Sequence, residues 1–505
     1  MTNWTPRRQS LVLITVDCLR ADHVGFLGYR HPTTPFLDEL ARKALIFQNA
    51  IVAGAPTYYS FPAILASRSP LALGRDISGI APGETSMATT LKQAGYATAA
   101  FCAGNPYLSR RFGYNQGFDT FDDFLEEGSG SVNEIPLSRS SWLTRANRKL
   151  ERWSRKMRWL GRLYDDVYFE YCQRLAMPTP SSFDELRRFP SADRLVDRAK
   201  AWLSSVGSGP FFLWLHFMDP HAPYYPAERA LQVMGVGTTA ARARYLNSYW
   251  NRGPLEKERF RQYEQELVAL YDAGVRWVDM QIARLTKHVQ ALGHWNSCVI
   301  AFTADHGEEF LEHGGRFHSP GKLSEELIRV PLLIRVPGHG DLRAAQKPFS
   351  LLHLAPTLLD ILEVDAPAEF QGKSFWADLQ HGHECDEVAL VECLSGVTNP
   401  FHRAHRSGPR VLAVRDARYK LVWDLGAMQE LLFDLQDDPE ELQPRPAKQE
   451  PLARRKLMMY ALQHLARSRN QRDPRLRSRA LARELANEWQ NHPPVTFADP
   501  NVAGS

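Results

Sequence analysis

The sequence predicts an α/β fold, with a doubly wound, mostly parallel sheet flanked by helices and a smaller C-terminal α+β subdomain. Short apolar runs alternate with helical patterns through the first 365 residues, and repeated units of this kind build parallel sheets covered on both faces. The first apolar run, residues 11–17, ends in Asp17. A buried parallel strand would carry this carboxylate to the sheet edge where α/β proteins place their chemistry.

The same alternation continues along the chain. Apolar runs predict further strands within residues 209–219, 296–307 and 329–338. Helical spacing of apolar residues predicts helices over 34–47 and 255–293. Strands and helices therefore follow one another as a layered α/β domain requires.

Changes in pattern divide the chain into parts. We expect a catalytic α/β domain over residues 1–365, which contains a basic helical insertion at about 127–195. A smaller α+β subdomain is expected over 366–446, followed by an Arg-rich helical tail over 447–505. The insertion combines Arg and Lys with Trp and Tyr. A basic amphipathic helix of this kind can rest on an anionic membrane surface or line a pocket for an acidic substrate, and it can also be an ordinary surface helix with its Trp residues packed inward.

Composition excludes some classes of function. The 61 basic residues nearly balance 57 acidic ones, which leaves a net charge of +4 and does not predict binding to nucleic acid. The six cysteines lack the spacing of a metal-binding or redox motif, and a disulfide framework is not expected. The start of the chain lacks a secretory signal pattern, and no apolar run is long enough to span a membrane. We expect a cytoplasmic protein, and the sequence leaves its oligomeric state open.

A pair of metal-binding residue types follows one predicted strand. Asp305 and His306 come directly after the apolar run that begins near residue 296. A carboxylate and an imidazole suit a divalent metal, although such a pair can also cap a turn. Two strand-end carboxylates at one sheet edge, Asp17 and Asp305, would repel each other unless a cation or proton lay between them. Asp17, Asp305 and His306 therefore form the predicted metal site.

Several blocks resemble the sulfatases and their relatives in the alkaline phosphatase superfamily. They include LITVDCLRADHVGFLGY, FFLWLHFMDPHAPYYP, TADHGEEFLEHG and RVPLLIRVPG, in the order found in that family. The resemblance implies a metal that activates a side-chain nucleophile, with Asp17 as the first metal-binding aspartate and Asp305-His306 as the second pair. Many sulfatases have a second aspartate where this chain has Cys18. Loss of that oxygen ligand favours manganese or zinc and leaves calcium possible.

The nucleophile is expected in the segment APTYYSFPAILAS, which offers Thr57 and Ser60. Sulfatases convert a Cys or Ser in a Cys/Ser-x-Pro-x-Arg motif to formylglycine, but Ile64 stands at the arginine position after Ser60. We therefore expect an unmodified hydroxyl. Resemblance to nucleotide pyrophosphatase/phosphodiesterases favours Ser60, whereas resemblance to phosphoethanolamine transferases favours Thr57. We prefer Thr57, and the other hydroxyl would cap the helix.

Histidines and a lysine further along the chain could stabilise the reacting group and the leaving oxygen. The segment HFMDPHAPYYP offers His216 and His221, and the segment EEFLEHGGRFHSPGK offers His313, His318 and Lys322. The family resemblance favours His221 and His318 as acid–base residues. His216, His313 and Lys322 are predicted to bind substrate.

The predicted function is that of a sulfatase-family, metal-dependent hydrolase of anionic esters that acts through a covalent intermediate. The substrate would be a small-molecule or lipid-headgroup ester of sulfate, phosphate or phosphonate. One alternative is a phosphoryl-headgroup transferase that contacts the membrane peripherally through residues 127–195. Another is a non-catalytic binding protein on the same fold, which retention of the three metal ligands argues against.

Overall fold

The computed structural model of the chain describes most of residues 8–470. It leaves out 76, 126–169, 171–178, 253–256, 341, 343, 384–387, 398–400, 402–405, 407 and 447. Most of the predicted basic insertion and residues 471–505 of the predicted tail therefore lie outside the described residues. The proposed membrane contact of the insertion stays a prediction. Among the described helices, none combines the length and apolar character needed to cross a bilayer.

The strands form one large sheet, one small sheet and a short hairpin. Their bounds are β1 Ser10–Val16, β2 Leu45–Ile51, β3 Ala97–Cys102, β4 Thr120–Asp122, β5 Phe211–Phe217, β6 Cys298–Ala304, β7 Glu309–Phe310, β8 Arg316–Phe317, β9 Arg329–Arg335, β10 Ala345–Ser350, β11 Ala389–Leu394, β12 Arg410–Arg415, β13 Tyr419–Asp424 and β14 Gln429–Asp434.

The large sheet has eight strands in the order β10-β2-β9-β6-β1-β5-β3-β4. Strand β9 runs antiparallel to its neighbours β2 and β6, and the other pairs are parallel. Every residue of the central strands β1, β5 and β6 is buried. Burial on both faces explains why their sequences are apolar throughout instead of alternating. The predicted fold class is confirmed.

Helices cover both faces of this sheet and one face of the small sheet. Their bounds are Pro35–Ala41, Thr57–Ala66, Met87–Gln93, Ala192–Ser205, Glu228–Met234, Ala240–Trp250, Lys257–Ala291, Glu325–Ile328, Leu354–Ile361, Trp376–Gln380 and Pro451–Asn470.

The prediction of one helix over residues 34–47 was wrong for the second half of that range. The helix ends at Ala41, and Leu45 begins strand β2. Residues of β2 pair with β9 on one side and β10 on the other, so ladder hydrogen bonds and burial decide the conformation of an apolar stretch that also fits a helical pattern.

The C-terminal part forms the antiparallel sheet β11-β12-β13-β14. Helix Pro451–Asn470 packs Leu457 and Ala461 against apolar residues of that sheet. The sheet is tied to the large domain by ion pairs, since Glu325 lies 3.1 Å from Arg415 and 3.4 Å from Lys420. These contacts fix the small subdomain beside the loops that follow β6.

Candidate active site

The sheet brings three predicted site residues to one edge. Strand β1 lies between β5 and β6, and Val16 is in register with Phe217 on one side and Ala304 on the other. Asp17 and Asp305 follow directly, and His306 comes next in the chain. All three are fully buried. The order of the strands, which the sequence alone does not specify, is what makes the two carboxylates neighbours.

The candidate metal ligands lie close together at this edge of the large sheet. His306 Nε2 lies 3.6 Å from Asp17 Oδ1 and 3.6 Å from Asp305 Oδ2. His216 Nε2 lies 3.3 Å from Asp17 Oδ2. Ligand atoms of Asp17, His216 and Asp305 all lie within 4.8 Å of one another. Carboxylate oxygens and imidazole nitrogens at such distances can surround one divalent cation.

Two buried atoms among these residues support a cation. Asp305 Oδ2 and His216 Nε2 have no hydrogen-bond partner among the described residues, and an unpaired polar atom in a protein interior is costly. Burial and then the charge of Asp17 raise the pKa of Asp305 to about 7. Burial opposes ionisation of Asp17 as well, but nearby imidazoles, led by His221, hold its pKa well below the usual range. The residues present fit a divalent metal.

The imidazole of His216 is oriented for metal binding. Its Nδ1 lies 3.0 Å from the Thr15 hydroxyl, which donates to the Leu215 carbonyl and accepts from Trp214 Nε1. Because that hydroxyl has one hydrogen, this assignment makes His216 Nδ1 the donor and leaves a lone pair on Nε2. The lone pair faces Asp17, itself an acceptor. His216, predicted from the sequence to bind substrate, is thus placed among the candidate metal ligands at the end of β5.

His306 has the same tautomer for a similar reason. Its Nδ1 lies 2.8 Å from the Gly307 carbonyl, which can only accept a hydrogen bond. Nε2 of the neutral ring therefore carries a lone pair. That atom is 3.1 Å from Thr57 Oγ1, so His306 connects the candidate nucleophile with both carboxylates.

The two candidate hydroxyls are placed differently. Thr57 begins the helix Thr57–Ala66, and its Oγ1 lies 3.5 Å from Asp17 Oδ2. Ser60, three residues later, is fully buried, and its hydroxyl has no hydrogen-bond partner among the described residues. The structure brings Thr57, and not Ser60, into contact with Asp17 and His306.

Cys18 directs its thiol into the same cluster. Its φ of 60° is unusual for a residue with a side chain, and its carbonyl accepts a hydrogen bond of 2.8 Å from the Tyr271 hydroxyl. The thiol lies 3.0 Å from Asp17 Oδ1 and 3.4 Å from His318 Nδ1. Burial, and next the charge of Glu308, raise the pKa of this thiol.

Sequence reasoning missed two neighbours of these residues. Asn105 donates a hydrogen bond of 2.8 Å from Nδ2 to Asp17 Oδ2. Glu308 is fully buried, and neither of its carboxylate oxygens has a hydrogen-bond partner among the described residues; Oε1 lies 3.6 Å from His318 Nδ1. Both residues follow apolar strands closely, which is the signal that could have identified them.

A cavity of about 620 Å³ opens beside Thr57. His221 and His318 both line it, and their rings lie 5.2 Å apart. His221 Nδ1 is 2.6 Å from the Ala222 carbonyl, so its Nε2 is available at the cavity. Burial, and next the charge of His221, lower the pKa of His318 to about 3. The two predicted acid–base residues are thus placed together near the candidate nucleophile.

His313 and Lys322 lie elsewhere. His313 Nδ1 is 2.9 Å from Glu326, and Nε2 is 3.0 Å from the Glu440 carbonyl. Lys322 Nζ is 2.8 Å from Glu309. Neither lines the cavity beside Thr57, so the structure does not bring these two predicted substrate-binding residues to it. Their contacts instead support the β7–β8 hairpin and the adjoining C-terminal subdomain.

Comparison with known proteins decides the family. The model of the sulfatase family matches residues 9–364. This chain belongs to the sulfatase family. A second model, the C-terminal region of N-sulphoglucosamine sulphohydrolase, matches residues 316–468 of this sulfatase-family protein. The predicted family membership is confirmed.

Individual relatives are distant but cover most of the chain. The multifunctional alkaline phosphatase superfamily protein PehA of Trinickia caryophylli is 24% identical over 86% of this chain and 90% of its own. An arylsulfatase of Clostridium perfringens is 24% identical over 86% of this chain and 89% of its own. The phosphonate monoester hydrolase of Agrobacterium radiobacter superposes with a TM-score of 0.61 at 19% identity, over 92% of this chain and 96% of its own. Likeness at that identity shows the fold.

Proposed function

We propose that this sulfatase-family protein hydrolyses anionic monoesters, with unmodified Thr57 as nucleophile and a divalent cation held by Asp17, Asp305 and His306. The contact of Thr57 Oγ1 with His306 Nε2, at 3.1 Å, carries the proposal. It places a hydroxyl against a group of buried metal-binding atoms. Likeness to PehA and to an arylsulfatase supports ester hydrolysis. A bound cation would lower the pKa of the hydroxyl and neutralise charge on the ester.

The residues divide the reaction between them. Thr57 releases its hydroxyl proton to solvent in the cavity that it lines, and its oxygen bonds to phosphorus or sulfur while the ester bond to the leaving oxygen breaks. His221, which lines the cavity, donates the proton that the leaving oxygen needs, whereas neighbouring His318, whose pKa is lowered to about 3, is neutral. Water then cleaves the covalent ester and restores the hydroxyl. His216 would offer the cation a further nitrogen ligand, Nε2.

The choice of an unmodified hydroxyl rests on the residue at position 57. Formylglycine is an aldehyde made from Cys or Ser, and the extra methyl group of Thr57 would give a ketone instead. Ser60, which could be converted, is fully buried, and its hydroxyl makes no hydrogen bond to a candidate metal ligand or to any other described residue. Without formylglycine we favour phosphate or phosphonate esters over sulfate esters.

A second candidate function is transfer of the same phosphoryl group to an alcohol. The spacing of Thr57, Ser60 and Pro62 matches the Thr-x-x-Ser-x-Pro of phosphoethanolamine transferases. The steps that lead to the covalent intermediate would be identical, and only the final acceptor would differ.

A cytoplasmic location is kept as part of the proposal, because the four cysteines that the structure describes are all free and buried.

The test uses protein stripped of metal by a chelator and assayed with 4-nitrophenyl phosphate, phenylphosphonate and sulfate esters. Manganese or zinc is expected to restore cleavage of the phosphorus esters by at least about a hundredfold, because the metal contributes several kcal/mol to the transition state. Mass spectrometry of the peptide containing Thr57 should show an unmodified threonine. Absence of cleavage with any divalent metal would refute ester hydrolysis, and sulfate cleavage that requires an oxidised residue would refute the unmodified nucleophile.

The identity of residue 18 should set the metal preference. Cys18→Asp adds a hard oxygen ligand, and aspartate tolerates the positive φ found at this position. We expect the affinity for calcium relative to zinc to rise by about tenfold, since calcium prefers more oxygen ligands. Competitive metal titration measures the ratio. Cys18→Ser, which adds no carboxylate, serves as the control, and equal ratios in both variants would contradict the prediction.

A further inference from the structure

The walls of the cavity beside Thr57 are mostly apolar. Among the residues that the structure describes, none of those lining it is Asp, Glu, Lys or Arg. Its polar side chains are Thr57, Asn105, His221, His318 and Ser319, and the rings of Tyr58 and Tyr107 add one hydroxyl each. The apolar and aromatic lining consists of Pro56, Tyr58, Pro106, Tyr107, Phe189, Met218, Phe317, Pro320 and Val397.

The aromatic rings of this wall are held by other rings. Tyr58 and Tyr107 have centroids 5.2 Å apart, and Tyr107 stacks on Phe401 at 5.1 Å. Phe189 meets His221 edge-on at 5.3 Å. Packing of this kind fixes ring positions before a ligand binds, so the apolar wall is preformed.

Phe317 has a backbone conformation that few residues adopt. It ends strand β8 with a φ of 63°, and a bulky residue in this region is strained. Its ring packs edge-on against Trp250 at 5.7 Å. The neighbouring Arg316 donates to the carbonyls of Trp250 and Arg252. These contacts hold the strained segment in place, with Phe317 on the apolar wall and His318 beside the candidate nucleophile.

We propose that the cavity selects esters whose organic group is an uncharged, apolar ring, with Phe317 as a specificity-determining residue. The inference rests on the proposed function and narrows its substrate class. Burying an apolar ring is favourable by about 25 cal/mol per Å². A ring that carries a hydroxyl on every carbon would lose more hydrogen bonds to water than the few polar groups of these walls can replace. The cavity volume of about 620 Å³ accommodates a six-membered ring together with its ester group.

Cyclohexyl phosphate and inositol monophosphate form a matched pair, because both place one phosphate on a saturated carbon ring and they differ in the ring hydroxyls. We expect kcat/KM for cyclohexyl phosphate to exceed that for the inositol ester by at least about tenfold. Binding of the two esters to metal-loaded Thr57→Ala protein, measured by calorimetry, should show the same order. This second arm does not depend on turnover.

Phe317→Ala should lower kcat/KM for cyclohexyl phosphate by about tenfold, mainly through KM, and change the value for the inositol ester much less. Phe317→Leu keeps an apolar side chain and should retain most of the preference. Phe370→Ala, a partly buried phenylalanine outside the cavity, is the control for loss of a ring.

Equal or reversed preference in both the kinetic and the binding arm would overturn the inference while leaving ester hydrolysis intact. Failure to cleave any ester would count against the proposed function, and the binding arm would then decide the inference alone. If the Phe317→Ala protein is folded, as judged by circular dichroism, and its preference for cyclohexyl phosphate is unchanged, then Phe317 does not determine specificity.

Discussion

Thr57→Ala should abolish turnover, whereas Ser60→Ala should leave kcat/KM within about threefold of the wild-type value. Loss of a nucleophile typically removes roughly four or more orders of magnitude in rate. Ser60 makes no hydrogen bond among the described residues, so removing its hydroxyl sacrifices no partner. Steady-state assays with the best phosphorus ester from the substrate panel measure both effects.

Thr57→Ser supplies the matched control because it retains a hydroxyl at the same position. It should keep most of the activity that the alanine variant loses. Rapid quenching followed by peptide mass spectrometry should locate the covalent ester on the peptide containing Thr57, and the intermediate should be missing from the alanine variant. An adduct on Ser60, or an active Thr57→Ala enzyme, would contradict this assignment.

The contrast between these two hydroxyls marks the limit of sequence reasoning. Both lie in one short segment, and each fits a different family pattern, of which we preferred from the sequence the one with Thr57 as nucleophile. The decision comes from the direction of each side chain at the start of a helix. Both residues are buried, but Thr57, the first residue of that helix, directs its hydroxyl to Asp17 and His306, whereas the Ser60 hydroxyl makes no hydrogen bond among the described residues. Residue spacing alone carries no such direction.

Strand ends were predictable for a physical reason. A buried parallel strand reads as an uninterrupted apolar run, so Asp17 and Asp305 could be placed at the sheet edge from the sequence. How close these two carboxylates lie depends on the order of the strands in the sheet. Residues 17 and 305 are far apart in the chain, but strands β1 and β6 are neighbours. The family resemblance supplied that information, not the apolar pattern.

Other parts of the site depend on hydrogen bonds that no pattern reveals. His216 was expected to bind substrate, but Thr15 and Trp214 orient its ring toward Asp17 from inside a strand. His313 and Lys322 were expected in the site because they follow the Asp-His pair closely. The β7–β8 hairpin turns them toward Glu326 and Glu309 instead. A local loop path of this kind is set by tertiary contacts.

The apolar cavity connects these features to the choice of substrate. Charge in the site is concentrated at the strand ends, where Asp17, Asp305 and Glu308 are fully buried. The cavity walls contribute rings and prolines. A bound monoester would therefore meet the cation and imidazoles with its anionic end, and the aromatic wall with its organic group. Such separation lets one part of the site activate the ester while another discriminates among leaving groups.

Asp17→Asn should eliminate both metal binding and activity. Asparagine has the shape of aspartate and can still accept the hydrogen bond from Asn105, so packing is preserved, but the charge shared with His216 and His306 is lost. Loss of the metal is expected to lower kcat/KM by about a thousandfold or more. For the wild-type protein, metal at a hundred times its Kd should raise the free energy of unfolding by about 2.7 kcal/mol, and for the variant by almost nothing.

Asp219→Asn is the matched control for this change. Asp219 is also a carboxylate after a strand, although it is only partly buried, and it belongs to none of the candidate metal-ligand groups among the described residues. Burial raises its pKa to about 7, so a neutral amide resembles a form that this position already tolerates. The control should bind metal with the wild-type stoichiometry and show the same metal-dependent rise in Tm. An Asp17→Asn protein that retained one tightly bound divalent ion would show that the cation is held by other residues, and His216, Asp305 and Cys18 would then be the next ligands to test.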